Sequence, residues 1–373
     1  MKKKIAVIGL KGLPAYVGAG TVGENIVLQL KDEFEFYVYA TSSHTNLQSG
    51  EYKGVYQKVF RKIPSRKLNA FWYYLVSALH ARFVGKFDLV HLHNSFAAFT
   101  LLILKPKFPV VMTTHGAFLV FDKWKRYAWF WKYNTNKLVK KADYLCCVSK
   151  DEERQFKALL GLEAHYIPNG ISPIDTQRLP EIDVTEPYIF FGAGRIIRDK
   201  GLHDLLEALR RINYKGKVLV AGDIDQLPAY KSEIIKLMSG LNISLLGLIK
   251  EKDLLFSYIR NAVLFVYPSR KEAMSMMLLE AVSVDAPIVC SDIVQNRDIL
   301  TDEEALFFET GNVDDLATKI NWALSHRDQM KWRSEKAKRK FLVDFNWSSI
   351  AAQYKEIFLQ LMMKGKPGKN ILN

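Results

Sequence analysis

Two carboxylates, Glu272 and Glu280, form the most specific chemical feature of the sequence. They stand in the run Tyr267-Pro-Ser-Arg-Lys-Glu-Ala-Met-Ser-Met-Met-Leu-Leu-Glu-Ala281. Glu272 falls in a loop after an apolar, strand-like segment, and Glu280 falls inside the helix expected to begin near Ser275. A helix start offers unpaired N–H groups and the positive end of the helix dipole, which together suit an anion. From Ser275 to Glu280 the helix advances roughly 8 Å, at about 1.5 Å per residue. One ligand can therefore place a diphosphate on the backbone N–H groups around Ser275 and Met276, with neutral hydroxyls bonded to Glu272 at one end and Glu280 at the other. A nucleotide sugar has that shape. The plainer alternative is an amphipathic helix with one outward Glu. It fits poorly, because Glu280 is embedded in Met277-Leu-Leu-Glu-Ala-Val282.

A cationic feature lies upstream. Gly192-Ala-Gly-Arg-Ile-Ile-Arg-Asp-Lys-Gly201 follows the apolar run Tyr188–Phe191 and precedes the helical pattern Leu202–Arg210. Ligands of a parallel sheet sit off the carboxyl ends of its strands. There Gly194 opens the backbone, Arg195 can fork onto phosphate oxygens, and Lys200 supplies a compact charge. The competing reading is a solvated charged loop. In the first half, His115 closes the apolar run Val110–Thr114, either as a site residue at a strand's carboxyl end or as a structural histidine. The loop Gly9–Gly23 contains the triplet Gly18, Gly20, Gly23, but the triplet begins well past Leu10 and no acid ends the second strand at Tyr39-Ala-Thr41. The dinucleotide fingerprint is therefore not met, and glycines that admit a ligand to the backbone are the better reading. Asp223-Ile-Asp225 matches a metal-binding D-x-D, yet it lies in an ordinary strand-to-helix turn. No metal and no cofactor are expected.

The elements that must position these residues are short buried strands alternating with helices. Ile5–Leu10, Phe36–Ala40, Leu89–Leu92, Val110–Thr114 and Tyr144–Val148 read as strands, with helices such as Thr21–Leu30 and Asn69–Val84 between them. Ile171–Pro187 breaks the pattern with Pro173, Pro180 and Pro187 and reads as a linker. Six further strands follow: Tyr188–Phe191, Val218–Ala221, Ser244–Leu246, Leu264–Tyr267, Pro287–Cys290 and Ala305–Phe308, with the helices Leu202–Arg210, Ser275–Ser283 and Val313–Ser325 among them. Buried strands separated by helices predict α/β domains built on parallel sheets. A chain of 373 residues suits two of them.

The net charge is +14, which calls for an anionic partner: a nucleotide phosphate, an anionic membrane surface or nucleic acid. Two stretches interleave cations with aromatics. One is Trp124-Lys-Arg-Tyr-Ala-Trp-Phe-Trp-Lys-Tyr133; in the other, Arg61, Lys62, Arg66 and Lys67 precede Phe71-Trp-Tyr-Tyr74. Such stretches fit docking at a lipid headgroup layer, or else their aromatics are core. The opening Met1-Lys-Lys-Lys4 followed by Ile5–Ile8 is too short an apolar run for a signal peptide, and Phe96–Leu104 is too short to span a bilayer. A cytoplasmic protein is expected, soluble or peripheral at the inner face of the plasma membrane. Cys146, Cys147 and Cys290 sit in apolar runs without metal-ligand spacing and read as small buried hydrophobes.

These motifs, in this order, resemble the retaining glycosyltransferases of family 4, with the GT-B fold. The resemblance covers nearly the whole chain. It rests on the Gly-rich first loop, Thr114-His-Gly116, Ala142–Ser149, Ile167-Pro-Asn-Gly170, Gly194-Arg195 with Lys200-Gly201, Glu272 with Glu280, and Phe345-Asn-Trp347 before a last helix. Lys11-Gly-Leu-Pro-Ala15 looks like a bacterial subgroup acting in surface polysaccharide synthesis. The resemblance implies two Rossmann-like domains facing across a cleft: residues 1–174 on the acceptor side, residues 175–347 holding the nucleotide sugar, and residues 348–373 crossing back to the first domain. It also implies Arg195 and Lys200 on the diphosphate, Glu280 on the ribose, Glu272 on the donor sugar and His115 at that sugar. The donor would be a UDP-, GDP- or dTDP-linked sugar and the acceptor a lipid-linked or growing glycan. Ala273 and Asp285 stand where the family usually has Gly, and Gly18-Ala-Gly-Thr21 replaces a Gly-Gly-aromatic-Glu loop, with Glu24 the nearest acid. A nucleotide-sugar epimerase on the same fold would need acid/base pairs. A nucleic-acid-binding protein would have no use for the paired Glu272 and Glu280.

Overall fold

A computed structural model of the protein describes residues 2–15, 18–65, 68–116 and 137–364. The chain forms two compact units, Met1–Gly170 with Trp347–Asn373, and Ile171–Asn346.

The first unit is built on an eight-stranded sheet. Its strands are β1 (Lys3–Lys11), β2 (Phe34–Thr41), β3 (Gly50–Tyr52), β4 (Val55–Phe60), β5 (Leu89–His93), β6 (Val110–Thr114), β7 (Tyr144–Cys147) and β8 (His165–Tyr166), in the spatial order β3-β4-β2-β1-β5-β6-β7-β8. Every pairing is parallel except β3 with β4. The described helices are α1 (Ala19–Leu30), α2 (Asn69–Phe83), α3 (Leu101–Leu104) and α4 (Lys150–Leu160), joined later in the chain by Trp347–Met363. Successive residues Ile5–Leu10 of β1 are all buried: Ala6 and Ile8 pack with Tyr73, Tyr74 and Ala78 of α2, while Ile5 and Val7 take the opposite face. Burial on both faces is what makes such strands continuous apolar runs. Three strands beyond the five read from sequence appear here. In β4, Val-Tyr-Gln-Lys-Val-Phe mixes polar with apolar residues, and β3 and β8 are edge strands of three and two residues. None carries the unbroken apolar run that marks a central strand.

The second unit carries a six-stranded, fully parallel sheet: β9 (Tyr188–Arg195), β10 (Lys217–Asp223), β11 (Asn242–Gly247), β12 (Leu264–Tyr267), β13 (Ile288–Ser291) and β14 (Leu306–Phe308). The spatial order is β11-β10-β9-β12-β13-β14. Its helices are α5 (Leu202–Arg211), α6 (Pro228–Met238), α7 (Lys252–Arg260), α8 (Met276–Ser283), α9 (Val294–Arg297), α10 (Val313–Ser325) and α11 (Arg327–Asp344). The strand order of a doubly wound Rossmann sheet reverses direction between β9 and β12, the crevice where such sheets bind ligands.

The last described helix, α12 (Trp347–Met363), belongs to the first unit. Its buried residues Trp347, Ile350, Ala351, Tyr354, Ile357, Phe358 and Leu361 recur at helical spacing. Phe358 meets Phe34 edge-on, and Tyr354 bonds Thr113 of β6.

Candidate functional site

In the second unit the chain leaves β9 through Gly194 and Arg195. Arg195 is exposed, and its guanidinium makes no hydrogen bond or ion pair among the described residues. One 3-10 turn, Arg198–Lys200, then brings Lys200 back toward the sheet. Gly201 follows at φ 70°, and a Cβ there would stand 2.1 Å from the Pro268 carbonyl oxygen. Only glycine therefore lets the loop after β9 close on the loop after β12. As a result, Lys200 Nζ lies 2.5 Å from Glu272 Oε1.

Glu272 is nearly buried, and the same Oε1 accepts from the Ser269 hydroxyl at 2.6 Å and from the Tyr267 phenol. Tyr267 also bonds Ser275, which caps α8 by accepting from the Leu278 amide. Burial, reinforced by the Glu272 charge, pushes the Tyr267 pKa well up, so the phenol stays a donor. Three donors converge on one carboxylate oxygen, while Oε2 has no protein partner among the described residues and can accept from a ligand hydroxyl. Arg270 faces away from this group. It forks onto Asp204 at 2.9 and 2.6 Å, and its amide bonds the Asp199 carbonyl, which clamps the two loops together.

Met276 opens α8, whose first turn holds no acid. Glu280, further along the same helix, is buried and paired with Lys252, the first residue of α7. The fold thus joins Lys200, Glu272 and Ser275 in one hydrogen-bonded group and sets Glu280 on the helix that Ser275 caps. Arg195 is at the same strand end but is not bonded to that group.

In the first unit Gly18 is the N-cap of α1 at φ 60°, and Gly20 lies in its first turn. Gly23 packs the helix on β1, since a Cβ there would stand 2.0 Å from Leu10 Cδ2. The loop between them is tied down by four side chains. Tyr73 accepts from the Gly9 amide at 2.8 Å, Gln57 from the Leu13 amide at 2.6 Å, Thr45 donates to the Leu13 carbonyl at 2.8 Å, and Glu24 accepts from the Ala15 amide at 2.7 Å. Glu24 also accepts from Tyr52 at 3.0 Å, so this acid serves as a brace for the loop.

His115 follows β6 and is only partly exposed. Its Nε2 lies 3.1 Å from Nδ1 of His93, with the rings stacked. His93 packs against His91 with the two rings tilted, His91 bonds Thr113 at 2.8 Å, and Thr113 bonds Tyr354 at 3.2 Å. Burial lowers all three imidazoles, His91 to about 3, His115 to about 4 and His93 well below the usual value. They are neutral at pH 7, so one nitrogen of the His93–His115 contact donates and the other accepts.

Residues 175–340 match the glycosyl transferases group 1 family, and residues 16–174 match glycosyltransferase family 4. Both matched families are glycosyltransferase families, and together they span residues 16–340. Among curated relatives it is 24% identical over 180 residues to the capsular polysaccharide biosynthesis glycosyltransferase CapM of Staphylococcus aureus, a match spanning 46% of this chain and 47% of CapM. It is 23% identical to an uncharacterized 41.2 kDa protein in the cps region of Klebsiella pneumoniae, over 91% of this chain and 96% of that one. It is also 23% identical to the putative teichuronic acid biosynthesis glycosyltransferase TuaC of Bacillus subtilis, over 72% and 67%. The fold is that of sucrose-phosphate synthase from Thermosynechococcus elongatus, with TM-score 0.81 and 19% identity over 98% of this chain and 100% of that one. Anabaena HepE, solved in complex with UDP-glucose, superimposes with TM-score 0.76 at 18% identity, over 96% and 100%.

Several contacts of this glycosyltransferase were not foreseen. Tyr267 and Ser269 lie in the Glu272 motif itself, and a phenol ending a buried strand is a signal that it needs a polar partner. Lys252, His93 and Glu24 gave no such signal, because their partners are distant in sequence. The D-x-D acids are engaged locally: Asp223 accepts from the Asp225 amide at 3.0 Å and from Gln226 at 2.7 Å, and Asp225 pairs with Lys231 at 2.6 Å. The three cysteines are free and buried, and burial pushes their thiols up. Of the two basic-aromatic stretches, Trp124, Trp129 and Trp131 lie outside the described residues, as do Arg66 and Lys67. The described aromatics divide: Tyr73 and Tyr74 are core, while Phe71 and Trp72 are exposed.

Proposed function

We infer that the protein moves a sugar from a nucleotide-diphosphate sugar to a lipid-linked or growing glycan acceptor, with retention of anomeric configuration, in bacterial surface polysaccharide synthesis. The observation that carries this reading is the group Lys200–Glu272–Tyr267–Ser275. It lies where the strand order of the second sheet reverses, with an ammonium, a carboxylate oxygen open to a hydroxyl and a capped helix start in one place. Glu272 Oε2 accepts from a donor-sugar hydroxyl and Glu280 from the ribose. Gly194, Arg195, Lys200 and the N–H groups at Ser275 and Met276 take the diphosphate; His115 keeps the donor-sugar role that the family resemblance gives it, and Gly18 and Gly20 open the backbone of the first loop to the donor.

As the bond to the leaving phosphate breaks, negative charge grows on the diphosphate and the sugar becomes oxocarbenium-like. Arg195 and Lys200 stabilise that charge more in the transition state than in the bound donor, which is what accelerates the reaction. The acceptor hydroxyl attacks on the face the nucleotide leaves, and its proton passes to the departing phosphate oxygen. No metal or cofactor is required. The capsular and teichuronic relatives support action in polysaccharide synthesis; on this reading the acceptor is bound to a lipid or a growing polymer and the protein acts at the inner face of an anionic plasma membrane.

The experiment is a mass-spectrometric screen of UDP-, GDP- and dTDP-linked sugars against the purified protein with lipid-linked acceptors, followed by assignment of the product anomer by NMR. Transfer with the donor's anomeric configuration supports the reading. No binding of any nucleotide sugar would overturn it, and an inverted product would overturn the claim of retention.

A further inference from the structure

A helix on the surface of a soluble unit normally shows water a polar face. Helix α2 does not. Its inward face, Tyr73, Tyr74, Ser77, Ala78 and Ala81, is buried against the sheet. At about 100° per residue, Leu68, Phe71, Trp72, Leu75, Leu79 and Phe83 all fall within roughly 120° on the opposite side. Leu68 is 59% exposed and Phe83 72% exposed, and Phe71, Trp72 and Leu79 also face solvent. Leu102 of the adjacent α3 is exposed as well, and Phe71 stacks on Phe99 between the two helices. A continuous apolar stripe of this kind marks a docking surface.

The flanks of the stripe are of one sign. Arg61 and Lys62 are exposed at its start, where the Trp72 indole N–H donates to the Arg61 carbonyl, and Arg82 and exposed Lys86 lie at its end. Between Glu51 and Asp122 the chain has ten Lys and Arg residues and a single acid, Asp88. That acid is already engaged by Lys3 and by the Lys4 amide. A second copy of this chain docking through the same face would set cations against cations. An anionic bilayer meets both features at once, taking the apolar stripe at the acyl boundary and the cations at the headgroups.

We propose that the outward face of α2, from Leu68 to Phe83 with its basic flanks, is the surface by which the protein lies on an anionic membrane. The occupant follows from the transferase reading only in that a lipid-linked acceptor resides there; the surface itself stands on apolarity and charge.

The test is flotation of the full chain with vesicles of phosphatidylcholine alone or with about one-third phosphatidylglycerol, at low and high salt. Wild type should partition onto the anionic vesicles, more weakly as the Debye length shortens. The triple variant Leu68→Ser, Leu79→Ser, Phe83→Ser should lose at least about tenfold in partitioning while keeping its circular dichroism and melting temperature. Trp332→Ser, an exposed aromatic of the second unit, should bind as wild type. The proposal is overturned if wild type ignores anionic vesicles or binds both kinds equally, or if the triple variant floats as wild type does. It is equally overturned if sedimentation shows a wild-type dimer that the triple variant dissolves, since the face is then a self-association surface. UDP and GDP binding by calorimetry on the same preparations separates the two readings: vesicle binding without nucleotide binding sinks the transferase reading alone, and the reverse sinks the docking surface alone.

Discussion

Lys200 is placed to do two things, and they can be separated. It neutralises the buried Glu272 carboxylate across 2.5 Å, and in the proposed function its ammonium also meets the donor diphosphate. Replacing it by Ala should lower turnover by roughly a hundredfold or more, the range for a lost transition-state charge contact, equivalent to about 2.7 kcal/mol. It should also cost stability. Removing one partner of a fully buried pair costs about 3–5 kcal/mol. Here the Lys200 side chain is partly exposed, and Ser269 and Tyr267 still donate to Glu272, so about 1–2 kcal/mol is expected.

The decisive measurement is a double-mutant cycle of Lys200→Ala and Glu272→Gln, read by kcat, KM for the donor, and urea denaturation. If Lys200 only balances Glu272, removing it from the Gln background should change kcat little. If it also holds the diphosphate, the second loss should remain close to a hundredfold in kcat while the stability terms fail to add. Turnover of Lys200→Ala within a few-fold of wild type would refute the role outright.

Arg195→Ala should lower turnover by a comparable factor yet leave the melting temperature unchanged, because the exposed guanidinium has no protein partner among the described residues; a large loss of stability would show that it is structural. Gly201→Ala should cost at least about 2 kcal/mol in denaturation and most of the activity, since a Cβ at φ 70° meets the Pro268 carbonyl and pushes Lys200 away from Glu272; a stable, active variant would refute the close approach. Activity should survive a chelator, because in the proposed function Arg195 and Lys200 supply the positive charge; abolition by chelator with recovery on adding manganese or magnesium would show the opposite. Burial holds His91 near 3 and His115 near 4, below the unfolded value of about 6.5. The unfolded chain therefore binds more protons, and stability should fall as pH drops from about 6.5 toward 4, by about 1.4 kcal/mol per pH unit for each such histidine. Melting temperatures that stay flat from pH 7.5 to 5 would contradict this.

Legibility in the sequence followed how far each feature's cause extends along the chain. The central strands were visible because residues such as Ile5–Ile8 and Leu264–Tyr267 are buried on both faces and leave an unbroken apolar run. Strand β4 was not, because its outer face carries Tyr56 and Lys58 and its inner face commits a buried Gln57 to the Leu13 amide, and β3 and β8 are too short to carry any period. The start of α8 was legible for a local reason, since Ser275 caps its own helix. The constellation around it was only half legible. The types of Lys200 and Glu272 announced charge chemistry, but nothing in their separation announced that they touch. That contact depends on Gly201 and Pro268, two residues with no polar side chain, through the absence of one Cβ. The same holds for Glu280, whose Lys252 partner arrives from the start of another helix, and for His115, whose ring is set by His93 one strand over. Residue type therefore shows which groups can bear charge, whereas the pairing of those groups is set by backbone packing. This is why a substitution at Gly201, which carries no functional group, should silence the site about as completely as one at Lys200.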